Sequence, residues 1–405
     1  MVDDRNPIFT TTSVASTSSD TCFQCLVCLF RPVIQLLCLF GLSDDLQMSC
    51  HHSFAFLHRL YSVIMMITCW FSLFLCFSLF TFFYSDFISF FQQFIKVPIN
   101  ATHLFLCISF LLRSTFIATL FNSSSRRRFL TSIRKYWKEM DDTLHVSLDF
   151  IYSIQYQLLY VCFPFAISSC MTICIIFVDH HFEFGNYDTK NRLSVMYFTY
   201  TSLLIPCFFL VGIVTSVLIY FLLFSLTVIK GFSEVNSTIA EMSEGPVTMS
   251  MLYSIHSRHQ QLCDIILEAD SCFGGFIFIN FATVIPDICA CIYDFILLES
   301  DRHDTIIIVW WMCLVSANFL LMAVSSAFLS NSAHGCFDAL NTLAFRDLPH
   351  LMQGKISIML ERINGPVIGF SCMGLFAITK GTLLNVLGVI TTFFLTVLQI
   401  KVSNQ

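Results

Sequence analysis

Residues 194–229 read SVMYFTYTSLLIPCFFLVGIVTSVLIYFLLFSLTVI, an unbroken run without a single Asp, Glu, Lys or Arg. At ~1.5 Å per residue, about 20 helical residues cross the ~30 Å hydrocarbon core of a bilayer. This run exceeds that need, so the helix either projects into water or kinks near Pro206. Six further apolar stretches meet the same length, at 60–84, 99–121, 156–178, 271–298, 306–329 and 383–400. In the bilayer core, backbone polar groups must be satisfied within the segment, which leaves helix as the economical solution for such runs. The sequence therefore predicts an all-α, polytopic membrane protein with seven transmembrane helices. Two further stretches bear on the count. Residues 26–42, interrupted by Arg31 and Pro32, read as an interfacial helix within an N-terminal segment 1–59. Residues 366–379 end at Lys380 and Gly381 and read either as a separate half-helix or as an extension of the last span, eight spans being the fallback.

Composition agrees. Apolar residues make up 56% of 405 and charged residues 12%, against about 25% charged in soluble domains, and the mean hydropathy is +0.76. The 46 Phe against 4 Trp suit helices that show much of their surface to lipid. The net charge of −6 is spread along the chain and points to no nucleic-acid partner. Most of the 19 cysteines lie inside apolar runs and none in the expected outer loops, so they read as small apolar side chains rather than disulfides. The polar first 21 residues lack the apolar core of a cleaved signal peptide, and 10–21 reads as disordered.

Orientation follows from basic residues. Arg126, Arg127 and Arg128 directly follow the second span, with Arg134, Lys135 and Lys138 behind them. That loop is expected in the cytoplasm, which places the N-terminus inside and a short tail, 401–405, outside. The outer loops are then short, at 85–98, 179–192 and 299–305, and the inner ones long, at 230–270 and 331–365. Residues 250–270 alternate polar and apolar side chains at helical spacing, so the fifth helix is expected to extend into the cytoplasm.

The last span carries Asn385, Gly388, Thr392, Thr396 and Gln399 at spacings of 3, 4, 4 and 3, one narrow stripe on a helix. Such a stripe is either glue between helices or the lining of a water-filled path shared by several subunits. The fifth span repeats the pattern with Asn280, Thr283, Asp287, Cys291 and Asp294. An intramembrane carboxylate costs at least ~2.5 kcal/mol on insertion scales and so faces protein or a cavity. Asp287 is the deeper one, a candidate for a ligand cavity with Thr283 and Trp310 or for a satisfied structural role; Asp294, near the outer end, is expected to reach water. Arg113, its charged counterpart in the second span, is expected to snorkel to the cytoplasm. Trp310 and Trp311 read as interfacial belt and Trp70 as packing. Cys22, Cys25 and Cys28 lack a fourth ligand for zinc, leaving palmitoylation or no modification. His256 and His259 flank Arg258 on a solvated helix face. No phosphate loop, nucleophile elbow or metalloprotease helix is present, so neither an enzyme nor a cofactor is expected.

Residues 369–400, GFSCMGLFAITKGTLLNVLGVITTFFLTVLQI, resemble the C-terminal signature of the insect-type gustatory and odorant receptors and their nematode relatives. The family motif is Thr-Tyr, five apolar residues, then Gln-Phe. Here Thr392-Phe393 precedes Phe394 to Leu398 and Gln399-Ile400, with Phe for Tyr, Ile for the final Phe and Thr396 among the five. The segments SIHSRHQQLCDIILEADSCFGG (254–275) and RPVIQLLCLFGLS (31–43) also look like the family's long helix into the fifth span and its N-terminal interfacial segment. Size and composition resemble a nematode gustatory-receptor-like or serpentine class R member.

The resemblance implies seven spans with an inside N-terminus and a tetrameric, non-selective cation channel gated directly by a stimulus. It implies a homo- or hetero-tetramer in the plasma membrane of sensory neurons, with Gln399 and Ile400 at the gate and Asn385, Thr392 and Thr396 along the path. It also implies a ligand cavity opening to the outside; some nematode relatives resemble light or peroxide sensors. The rival is a G-protein-coupled chemoreceptor, whose Asp/Glu-Arg-Tyr and Asn-Pro-x-x-Tyr motifs are not found at the corresponding places. A transporter would show internal symmetry, which the chain lacks.

Overall fold

The computed structural model describes residues 99–121, 189–297 and 302–403, with short pieces at 35–37, 39–40, 42, 63–64, 67, 153–160 and 167–168. The expected spans 60–84 and 156–178 lie outside the described residues except for those pieces, which are helical. The basic loop after the second span, Trp70 and Cys22, Cys25 and Cys28 also lie outside them.

Seven helices are described: α1 (Ile99–Phe121), α2 (Thr189–Glu244), α3 (Met249–Leu297), α4 (Arg302–Ala333), α5 (Phe337–Ala344), α6 (His350–Asn364) and α7 (Lys380–Ser403). No strand occurs among the described residues, only an isolated antiparallel bridge between Ser371 and Ala377. Within them α2, α3, α4 and α7 are each long and apolar enough to cross a membrane.

α3 is the hub. It packs against α1, α2, α4, α6 and α7 and buries an apolar face along its whole length. α2 is more enclosed, with 83% of its most apolar window buried against 56% for α3 and 6% for α7. The last helix therefore hangs on the outside of the chain's own bundle. Phe221 of α2 and Phe273 of α3 sit 5.2 Å apart, edge to face, and Phe370 closes on both at 4.8 and 6.1 Å. Aromatic groups in such tilted and edge-to-face contacts gain beyond their buried area.

The expected inner loops are largely helix. α2 continues from Ile229 to Glu244 before the break at Gly245-Pro246, and α3 starts at Met249 with the Thr248 hydroxyl accepting the Met251 N–H at 3.3 Å. Residues 331–365, read as a loop, hold the end of α4 and the whole of α5 and α6. α6 buries Ile356, Met359 and Ile363 at spacings of 3 and 4, enough to dock it.

The C-terminal ends of α2 and α4 are satisfied by side chains. Arg346 donates to the carbonyls of Met242, Ser243 and Gly245 at 3.1, 3.3 and 2.8 Å, a cation placed where the α2 dipole is negative. Asn236 donates to Ser332 at 2.9 Å and the His259 Nε2 meets Ala333 at 3.2 Å, serving the last carbonyls of α4. His259, read as part of a solvated face, is thus buried, and desolvation holds its pKa below the ordinary histidine value.

Residues 365–379 correct both readings made of them: they form neither a half-helix nor an extension of the last span. They fold as a tight hairpin in which Cys372 N–H donates to Phe376 (2.9 Å), Leu375 to Cys372 (3.0 Å) and Ile378 to Phe370 (2.9 Å). Pro366 disfavours helix before it, and Met373 and Gly374 turn with φ of 50° and 76°. Thr379 then starts α7, its hydroxyl accepting the Thr382 N–H at 3.4 Å.

Candidate functional site

α7 places its residues in two faces. Thr382, Leu383, Val386, Ile390, Phe393, Val397 and Leu398 are covered or half-covered by α3 and α4, a 3-and-4 spacing that makes a packing stripe. Asn385, Gly388, Thr392, Thr396 and Gln399 are all exposed and lie on the side away from that stripe. The Thr392 and Thr396 hydroxyls donate to Gly388 and Thr392 carbonyls one turn back, each at 2.8 Å, so their methyls and remaining lone pairs face outward. Ile400 is 44% exposed beside Gln399 near the end of the helix. Among the described residues no hydrogen bond joins this stripe to another helix.

The second region lies between α1 and α3. Asp287 is fully buried, and Arg113 of α1, 3% exposed, is close enough for the two charges to attract. Arg113 thus does not snorkel: its guanidinium lies in the interior, 5.3 Å from the Phe110 ring centroid. The Arg113 Nε and Nη1 find no hydrogen-bond partner among the described residues, and the Asp287 carboxylate faces Ser109. Neutralising one charge of such a pair strands the other, which makes the pair a strong constraint on how α1 sits against α3.

Asp294 is also covered rather than in water, because it lies on the buried face of α3 while Tyr293 and Phe295 beside it are exposed. Thr283 and Asn280 are buried on α3 and donate to its own carbonyls of Ile279 and Phe276, each at 2.8 Å. Trp310 is 46% exposed. Its neighbour Trp311 turns inward at 3% exposure and meets Phe110 edge-on at 5.8 Å.

Three contributors escaped the sequence reading. Ser109, one turn before Arg113, lies beside Asp287; a serine in an apolar run carries no signal of its own. Pro286 stands inside α3 immediately before Asp287 and removes one backbone donor there. Trp311 and Trp310 are adjacent, and only packing decides which one faces inward.

An apolar recess between the N-terminal piece and α2 is lined by Leu36, Phe40, Phe208, Val211 and Gly212. The Phe40 ring rests directly on Gly212, where a Cβ would overlap it. Among the described residues no group of three His, Cys, Asp or Glu is arranged to hold a metal ion.

The fold is that of known receptors. The structure of the insect olfactory receptor OR5 from Machilis hrabei superposes with a TM-score of 0.68 at 13% identity, covering 93% of this chain and 98% of that one. The same receptor in complex with eugenol gives a TM-score of 0.63 at 14% identity, covering 94% and 100%. No curated protein matches the sequence significantly. The family model of the 7tm chemosensory receptors matches residues 21–404. The chain belongs to that family: it is a multi-pass membrane chemosensory receptor whose fold is similar to that of an insect olfactory receptor.

Proposed function

We propose that the chain is a gustatory-type receptor that is itself a stimulus-gated, non-selective cation channel. It works in the plasma membrane of sensory neurons, as a homo- or hetero-tetramer with related subunits. The observation that carries this reading is the two-faced α7: its packing stripe is used inside the chain, while its polar stripe is exposed. Exposed to lipid, Asn385 and Gln399 would be costly; turned to a common axis with the same helix of other copies, they line a water-filled path. Gln399 and Ile400 form the gate, and Asn385, Thr392 and Thr396 line the path below it.

The ligand cavity lies in the outer half beside α3, with Asp287, Thr283 and Trp310 as its candidate residues. The solved insect relative holds eugenol, which favours a small organic stimulus. A stimulus opens the pore only by binding the open arrangement better than the closed one. Movement of α3 and α4 reaches α7 directly, since both pack against it.

The test places a reporter on each terminus and asks which is accessible on unpermeabilised cells. An inside N-terminus with an outside C-terminus is expected, and it justifies recording currents from Gln399 variants. An outside N-terminus with an inside C-terminus is the arrangement of G-protein-coupled receptors and would overturn the channel reading.

A further inference from the structure

The hairpin between α6 and α7 is bonded both to itself and to α3. Its base is pinned to α3: Asp270 accepts the Ser371 N–H at 2.7 Å and the Ser371 hydroxyl at 2.6 Å. From there it climbs along one stripe of α3. The Met373 backbone lies over Gly274, 3.6 Å from where a Cβ would stand. Beyond it, Phe376 meets Phe281 at 5.6 Å, edge to face. Asp270 to Phe281 is eleven helical residues, about 16 Å of rise. Asp270 is the last charged residue before the apolar span at 271–298, so the Met373-Gly374 tip, over Gly274, stands about 6 Å into that span and the Phe376 ring reaches further.

Two further observations agree with that depth. No charged residue occurs between Arg362 and Lys380, while Met373, Leu375 and Phe376 are 57, 70 and 42% exposed. The backbone is also partly closed upon itself. The N–H groups of Cys372, Leu375 and Ile378 are bonded within the hairpin, that of Gly374 to the Ser371 hydroxyl at 2.9 Å, and that of Ser371 to Asp270. A loop in water has no need of this economy, whereas non-helical backbone at membrane depth does.

The geometry points to a lipid-inserted anchor: residues 370–378 dip into the leaflet at the Asp270 end of α3, with Met373, Leu375 and Phe376 among the acyl chains. Arg362 and Lys380 flank the uncharged segment and suit anionic headgroups. The partner is therefore a phospholipid leaflet rather than a second copy of the chain. Because the hairpin leads straight into α7, the leaflet holds the start of that helix. The inference rests on the membrane fold and not on conduction, so it stands or falls independently of the pore reading.

The experiment puts an environment-sensitive fluorescent amino acid at Leu375 in the full chain, reconstituted in vesicles of phosphatidylcholine with phosphatidylserine. A second receptor carries it at Met373, and a control at Phe345, 86% exposed at the end of α5. The expected result is emission shifted to shorter wavelength at 373 and 375, strongly quenched by lipid bearing a nitroxide high on the acyl chain and untouched by iodide, with the reverse at 345. Quenching of 373 and 375 by iodide alone would put the hairpin in water and overturn the inference. Quenching by neither agent would put it under protein, against another subunit, and would overturn it equally.

Discussion

Replacing Asp270 by Ala removes the acceptor of two short hydrogen bonds, 2.7 Å from the Ser371 N–H and 2.6 Å from its hydroxyl. Hydrogen bonds to a charged group contribute ~1.5–3 kcal/mol each, and two would give about 3–6 kcal/mol if water replaced neither. Ser371 is half-buried, so water recovers part of that loss, and a destabilisation of about 2–4 kcal/mol is expected. Asn at this position keeps one carbonyl acceptor and presents an amide donor to the Ser371 oxygen, so its cost should fall near ~1 kcal/mol. Unfolding of the purified receptor by titration with a denaturing detergent measures both. The double variant Asp270→Ala/Ser371→Ala then decides whether the contact is the cause: it should cost less than the sum of the single changes. A loss below about 0.5 kcal/mol for Asp270→Ala, or strict additivity in the cycle, would refute the claim that this carboxylate holds the hairpin.

Other perturbations follow from the same structure. Arg113→Met or Asp287→Leu alone should cost about 3–5 kcal/mol, and the two together much less, because the pair but not the lone charge is tolerated in the interior; a double variant as unstable as the sum would sink the pairing. His259 is held neutral by burial, with its pKa depressed below the unfolded value. The stability it contributes is present above the unfolded pKa of about 6.5 and is lost as pH falls through the folded value. His259→Gln should flatten that acid limb in a stability-against-pH profile, and an unchanged limb would assign it to other groups. Gly212→Val should drive Phe40 off α2 and expose the N-terminal piece to limited proteolysis, and a proteolytic pattern identical to that of the unchanged chain would contradict the contact.

The apolar runs announced helices because length and absence of charge are read directly against bilayer thickness. The stretch 99–121 coincides with α1 for that reason. Residues 366–379 misled because they are just as apolar; the Pro, Gly and Ser residues that fold them into a hairpin are ordinary in membrane helices too. The inner helices α5 and α6 were hidden by mean polarity, although Ile356, Met359 and Ile363 carry the period that docks α6. At the site, the α7 stripe was legible because a 3-and-4 repeat fixes a face whatever surrounds it. The pairing of Arg113 with Asp287 was not, since nothing in one sequence says which faces of α1 and α3 meet. Asp294 shows the same limit: position along a helix gives depth, not whether a neighbour covers it.

In the proposed channel the polar face of α7 turns to the same face of other copies. Cysteine placed at Thr392, Thr396 or Gln399, against the unchanged chain as reference, tests it in native membranes under oxidation and needs no knowledge of the stimulus. Oligomeric ladders are expected from these three positions and none from Leu384, Leu387 or Leu395, which are exposed on the flank between the polar stripe and the packing stripe. Cross-linking from the leucines but not from the polar stripe would contradict it, because the stripe would then face lipid or solvent and could not line a shared path.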